Sequence, residues 1–219
     1  MSKLCSKYFS SSGSWTAPAG VTQVWVLAQG GGGGGDGGRN TTFGTSAGGY
    51  GTIPVFLQTA VTPNTSYTIT IGAGGTGGAP RVSGTSNGGA GGDTTFGSLL
   101  TFSGANGATS TVPTAKLGLV YGSCNAVGTA AVYSTSGFVR QKGTMGTSSG
   151  SYNGGRYGAP GYYGSVGGTG GNGNNAGTGT NGSNGTGFGA GGGGGGSGST
   201  AGGSGGNGSG GQLWVIWIE

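Results

Sequence analysis

Leu213-Trp214-Val215-Ile216-Trp217-Ile218 is the most hydrophobic hexamer of the chain, and it follows a stretch, residues 152–211, in which about half of the residues are glycine. Left exposed, such a hexamer would template edge pairing and aggregation, so it is expected as a central strand of the folded particle. The strand must return to a sheet begun far upstream. Val21-Thr22-Gln23-Val24-Trp25-Val26-Leu27-Ala28 supplies that sheet. It is β-branched and aromatic, follows the turn residues Ala17-Pro18-Ala19-Gly20, and is too short for a helix; it is expected as a strand buried on both faces at its centre.

Weaker blocks lie between these two. Ile53-Pro54-Val55-Phe56-Leu57-Gln58 reads as an edge strand or a strand start, because Pro54 cannot donate to a ladder. After the turn Thr62-Pro63-Asn64-Thr65, Tyr67, Ile69 and Ile71 alternate with threonine and face inward. Thr94-Thr95-Phe96 and Leu99-Leu100-Thr101-Phe102 form a hairpin-like pair about Gly97-Ser98. No segment carries apolar residues at helical spacing. The expected fold is all-β: a small antiparallel β-sandwich of N-terminal, middle and C-terminal strands with a long glycine-rich insert.

Of 219 residues 64 are glycine, 31% are hydrophobic and 5% are charged, which is too little apolar matter for a conventional core of this length and too little charge for an ordinary disordered chain. The cations Lys3, Lys7, Arg39, Arg81, Lys116, Arg140, Lys142 and Arg156 are scattered singly, without the concentrated basic face that nucleic acid requires. Histidine is absent and the acidic side chains are Asp36, Asp93 and Glu219 alone, so acid–base catalysis lacks its usual parts and no enzyme activity is expected. Cys5 and Cys124 have no metal-ligand spacing and read as free thiols. Asp36 and Asp93, each after Gly-Gly, read as turn residues rather than calcium ligands. The run 30–35 lacks the Lys-Ser/Thr ending of a phosphate loop. No cofactor is expected. Neither a signal peptide nor a membrane span is seen in the sequence, so no membrane insertion is expected.

The glycine stretch admits two readings, a slack tether or a bundle of polyproline-II-like helices with three residues per turn, and the bundle is the expected one, because the stretch ends in a strand that returns to the sheet and a loop of about sixty residues without structure is out of place inside a compact domain. Ordering so many glycines costs roughly 1–2 kcal/mol per residue, and a bundle must offset that through hydrogen bonds between neighbouring backbones. The expected organisation is 1–104 as β framework with glycine-rich loops, 105–163 as an aromatic and basic loop region, 164–211 as the glycine insert and 212–219 as the returning strand. Within the second region Tyr121, Tyr133, Phe138, Arg140, Tyr152, Arg156, Tyr157, Tyr162 and Tyr163 are the candidate partner contacts, since tyrosine and arginine are favoured at recognition surfaces.

An ordered series of motifs runs through the chain: Gly13-Ser14-Trp15-Thr16-Ala17-Pro18-Ala19-Gly20-Val21-Thr22 into Val24-Trp25-Val26, the glycines of 30–35, then Gly48-Gly49-Tyr50-Gly51. Pro63-Asn64-Thr65-Ser66-Tyr67-Thr68-Ile69-Thr70-Ile71-Gly72-Ala73-Gly74-Gly75, Thr95-Phe96-Gly97-Ser98 and the closing Val215-Ile216-Trp217-Ile218-Glu219 complete it. The series resembles the glycine-rich domain of bacteriophage tail-fibre and other virion-associated proteins, and the composition is similar to that of polyglycine tail-fibre adhesins. The resemblance implies a virion protein made in the host cytoplasm, either a tail-fibre adhesin for host attachment or a capsid, collar or whisker decoration fibre or self-assembling filament subunit. Its implied partners are other virion proteins, a bacterial outer-surface protein or glycan, and further copies of itself, with trimers common among such fibres. Residues 105–156 depart from the family pattern, leaving the target open.

Overall fold

Period-two alternation of apolar residues, interrupted by glycine segments, sets the strands of the computed structural model, which describes residues 2–40, 46–82, 86–109, 144–161 and 164–219 and the backbone of 120–121. In chain order they are β1 (Leu4–Phe9), β2 (Gly13–Thr16), β3 (Gln23–Gln29), β4 (Gly51–Thr52), β5 (Val55–Ala60), β6 (Ser66–Thr70), β7 (Thr94–Phe96), β8 (Leu100–Phe102), β9 (Val120–Tyr121) and β10 (Gln212–Ile218). The fold is all-β, without a helix among the described residues.

Two four-stranded antiparallel sheets form, in the orders β1-β10-β3-β5 and β2-β6-β7-β8, with β4 and β9 as a separate two-stranded ladder. The C-terminal hexamer is central, as its hydrophobicity demands: Val215 pairs with Lys7 on one side and Val26 on the other. β5 takes the edge, beginning just past Pro54. The hairpin about Gly97 and Ser98 is present, with Thr95 opposite Thr101.

The inward faces of both sheets meet in one core. Val24, Val26, Ala28, Leu213 and Val215 from the first sheet join Trp15, Ile69, Phe96 and Phe102 from the second. Trp15 is the bridge, its ring lying 5.8 Å from Phe96 and 5.4 Å from Trp217 across the sandwich. Tyr67 stacks on Phe96 at 5.2 Å. Such pairs add to the burial of large aromatic area, which dominates a core this small.

β3 differs from expectation on one point. At its centre the inner residues Val24, Val26 and Ala28 are fully buried, while Trp25 and Leu27, on the outer face, are half-buried. β1 and β2 were not foreseen, because Lys7 and the Ser-rich stretch around residues 10–14 mask their alternation; the hydrophobic β10 recruits β1, and Trp15 anchors β2.

Candidate functional site

β3, β6 and β8 run out into glycine segments and β7 and β10 run in from them, so the glycine part grows from one end of the sandwich. Residues 30–38, continuing β3, are buried throughout. The N–H groups of Gly31, Gly34 and Gly37 donate to Gly92, Gly89 and Ser86; those of Gly32, Gly35 and Gly38 donate to Ser209, Gly206 and Gly203; those of Gly33 and Asp36 donate to Tyr50 and Ala47. Carbonyls rotate in step. Those of Gly32 and Gly35 accept from Gly75 and Gly78, those of Gly31 and Gly34 from Ala105 and Ala108, those of Gly33 and Asp36 from Gly192 and Gly195. Each successive residue addresses a different neighbour, and the direction returns after three.

Residues 189–198 are buried likewise. Gly191, Gly194 and Ser197 donate to Ala159, Arg156 and Asn153, while Gly192, Gly195 and Gly198 donate to Gly33, Asp36 and Arg39. The two buried segments therefore bond to each other and are enclosed by the rest. Only glycine fits where backbone meets backbone on every side: a methyl group at Gly33 would overlap the carbonyl of Asn106, and one at Gly192 that of Gly206. The uninterrupted glycine runs are thus the innermost segments.

Toward the rim, where a segment runs out of neighbours, side chains return at every third residue and take over the missing carbonyl. The Oδ1 atoms of Asn181 and Asn184 accept from the N–H groups of Ser204 and Asn207, both at 2.8 Å. Asn207 in turn accepts from Gly77, and Asn172 from Thr147. Thr180 accepts from the N–H of Asn172, and Ser183 from that of Thr169. Each of these carboxamides belongs to an exposed residue, and the hydrogen bond on its oxygen fixes its orientation. The result is a polar face of Asn, Thr and Ser in rows set by the backbone.

A charged pair is buried among the glycines. Both carboxylate oxygens of Asp36 lie 2.7 Å from Arg81 Nη2, and Arg81 Nε donates to the carbonyl of Gly37 at 3.1 Å. Burial pushes the Asp36 carboxyl up from its ordinary pKa and the Arg81 guanidinium down, each opposed by the attraction of the other. This corrects the reading of Asp36 as a turn residue: it lies within an extended, fully bonded segment, and its counter-charge comes from 45 residues away. Asp93 accepts from the N–H of Gly104 at 2.8 Å, tying the entry of β7 to the exit of β8. Among the described residues no three His, Cys, Asp or Glu side chains gather as a metal site.

Of the residues marked out in the sequence, Tyr152, Arg156 and Tyr157 lie on one stretch along the flank of the glycine lattice, all half-buried. Tyr152 exchanges backbone hydrogen bonds with Ser149, and the N–H of Arg156 donates to Ser46 at 2.9 Å. The backbone of Tyr121 pairs with Gly51 in the β4–β9 ladder. Tyr133, Phe138, Arg140, Tyr162 and Tyr163 lie outside the described residues. The rows of asparagine and threonine on the rim were not singled out in the sequence; the signal was the spacing of Asn181 and Asn184, and of Ser204 and Asn207, by three.

No curated protein matches the chain. A family model described as glycine-rich domain matches residues 9–218, from the last residue of β1 through the end of β10. The chain belongs to this glycine-rich domain family.

Proposed function

We propose that the chain is a bacteriophage virion structural protein, a tail-fibre or receptor-binding adhesin that holds a stiff glycine lattice against a glycan or protein of the bacterial outer surface. The observation that carries this reading is the bonding direction that returns every third residue, as a backbone with three residues per turn produces. On that ground the glycine segments are assigned the polyproline-II conformation. A rigid body of this kind presents its rim without the entropic cost of ordering loops on binding.

The oriented carboxamides of Asn172, Asn181, Asn184 and Asn207 offer donors to sugar oxygens. Tyr152 and Tyr157 offer flat apolar faces to sugar rings. No catalytic step or cofactor enters this reading, and the remaining partners are other virion proteins. Purified full-length protein is expected to bind host cells saturably and to reduce phage adsorption, and Asn181→Ala with Asn184→Ala to weaken binding about tenfold, the effect of ~1.4 kcal/mol. Protein that neither binds nor competes overturns the adhesin. The alternative, a capsid, collar or whisker decoration fibre or filament subunit, is favoured by the apolar outer face of the first sheet.

A further inference from the structure

The outer faces of the two sheets have opposite character. On the second sheet Ser14, Thr16, Thr68, Thr70 and Thr101 face outward, as expected for a solvated surface. On the first, strand register lines up Tyr8, Trp214, Leu27 and Phe56 in one row across all four strands. Tyr8 and Trp214 are in contact, with ring centroids 4.4 Å apart. Beside that row run Ser6, Ile216, Trp25 and Gln58, then the pair Leu4 and Ile218. Among the described residues no charged side chain stands in these rows.

We propose that this face docks against the same face of a second copy of the chain, sheet on sheet, forming a closed pair about a twofold axis. Exposure is 70% at Leu4, 42% at Tyr8, 56% at Phe56 and 49% at Ile218. With the half-buried Trp25, Leu27, Trp214 and Ile216 added, the face presents on the order of 600 Å² of apolar surface, taking roughly 150–250 Å² for a whole aromatic side chain. That is at the top of the ~300–600 Å² a monomer leaves in its largest patch, and counted on both partners it reaches the ~1,200 Å² at which stable interfaces begin. An uncharged face has nothing with which to select a charged partner, whereas it complements itself. Sheets pack face to face about 10 Å apart, and an isologous contact closes at two copies. The inference stands apart from the adhesin reading, since it rests on the outer face of the first sheet, which Phe188 of the lattice meets edge-on at Tyr8, and not on the Asn rows of the rim.

Sedimentation equilibrium of the full chain between about 1 and 100 µM, a range bracketing ordinary micromolar affinity, tests it. A species of twice the 20.5 kDa chain mass is expected, with tryptophan emission moving to the blue as it forms. Phe56→Lys and Leu4→Lys, at exposed positions, are expected to weaken association at least tenfold while circular dichroism at low concentration stays unchanged. Thr68→Lys, on the other sheet, leaves the pair intact. Should the lysine variants fail to fold, concentration-dependent protection of Trp25 and Trp214 from hydroxyl-radical labelling in the unaltered protein gives the same reading. A monomer across the whole range, a trimer, or a pair in which those tryptophans stay as open as in the monomer overturns it.

Discussion

Gly33 and Gly177 have the same side chain and different consequences. At Gly33 a methyl group would overlap the carbonyl of Asn106, and its other near atoms are backbone as well, so two bonded segments must part to admit it. Gly33→Ala is therefore expected at or beyond the upper end of the ~1–3 kcal/mol typical of overpacking. At Gly177 the only near atom is Asn174 Nδ2 at 3.4 Å; Gly177→Ala is expected to fall within about 0.5 kcal/mol of the parent, the usual range for surface changes. Urea denaturation midpoints compare the two directly. The ion pair makes the same point with charge. Arg81→Met strands the Asp36 carboxylate in a buried site and is expected to cost about 3–5 kcal/mol, whereas Arg81→Met combined with Asp36→Asn recovers most of that loss in the same assay. A lone acid in a glycine run signals that a counter-charge must exist, but the sequence offers eight cations and no means of choosing Arg81 among them.

At the scale of elements, strands with a dense apolar pattern were readable and those with a diluted one were not. The central place of β10, the inward Tyr67, Ile69 and Ile71, and the hairpin of β7 and β8 follow from alternation and from the turn residues between them. β1 escaped because Lys7 stands on its inward side, where it lies over the ring of Phe9 at 5.2 Å. The glycine segments are legible in kind and not in pairing: glycine says that backbone approaches backbone, and says nothing of which. Trp15→Ala removes the ring that joins the sheets and is expected to cost about 3–5 kcal/mol by chemical denaturation. Amide exchange separates the two readings of the glycine stretch. The N–H groups of residues 31–38 and 191–198, bonded and buried, are expected to exchange at the slowest rates in the protein, and those of residues 175–177 on the rim among the fastest.

For the whole molecule, the unusual quantity is what is buried. An ordinary domain exposes hydrocarbon on unfolding, which raises the heat capacity; this one exposes peptide groups from its glycine lattice, which lower it. Calorimetry is expected to give a heat-capacity change well below the ~12–15 cal/mol/K per residue of typical proteins, and a correspondingly flat stability curve. Because sandwich strands continue as lattice segments, both parts are expected to melt in one transition. The candidate contacts were legible only as residue types: Tyr152, Arg156 and Tyr157 share a flank, while the polar rows opposite the buried glycines depend on which segments end up outermost, a property of the assembled lattice. The return of the bonding direction at every third residue also governs how such a chain can change length. Removing one residue from 203–208 would aim every later amide of that segment at the wrong neighbour, whereas removing Ser204, Gly205 and Gly206 together leaves each facing its own. Insertions and deletions that survive in this body should come in triplets, so that its length is counted in whole turns.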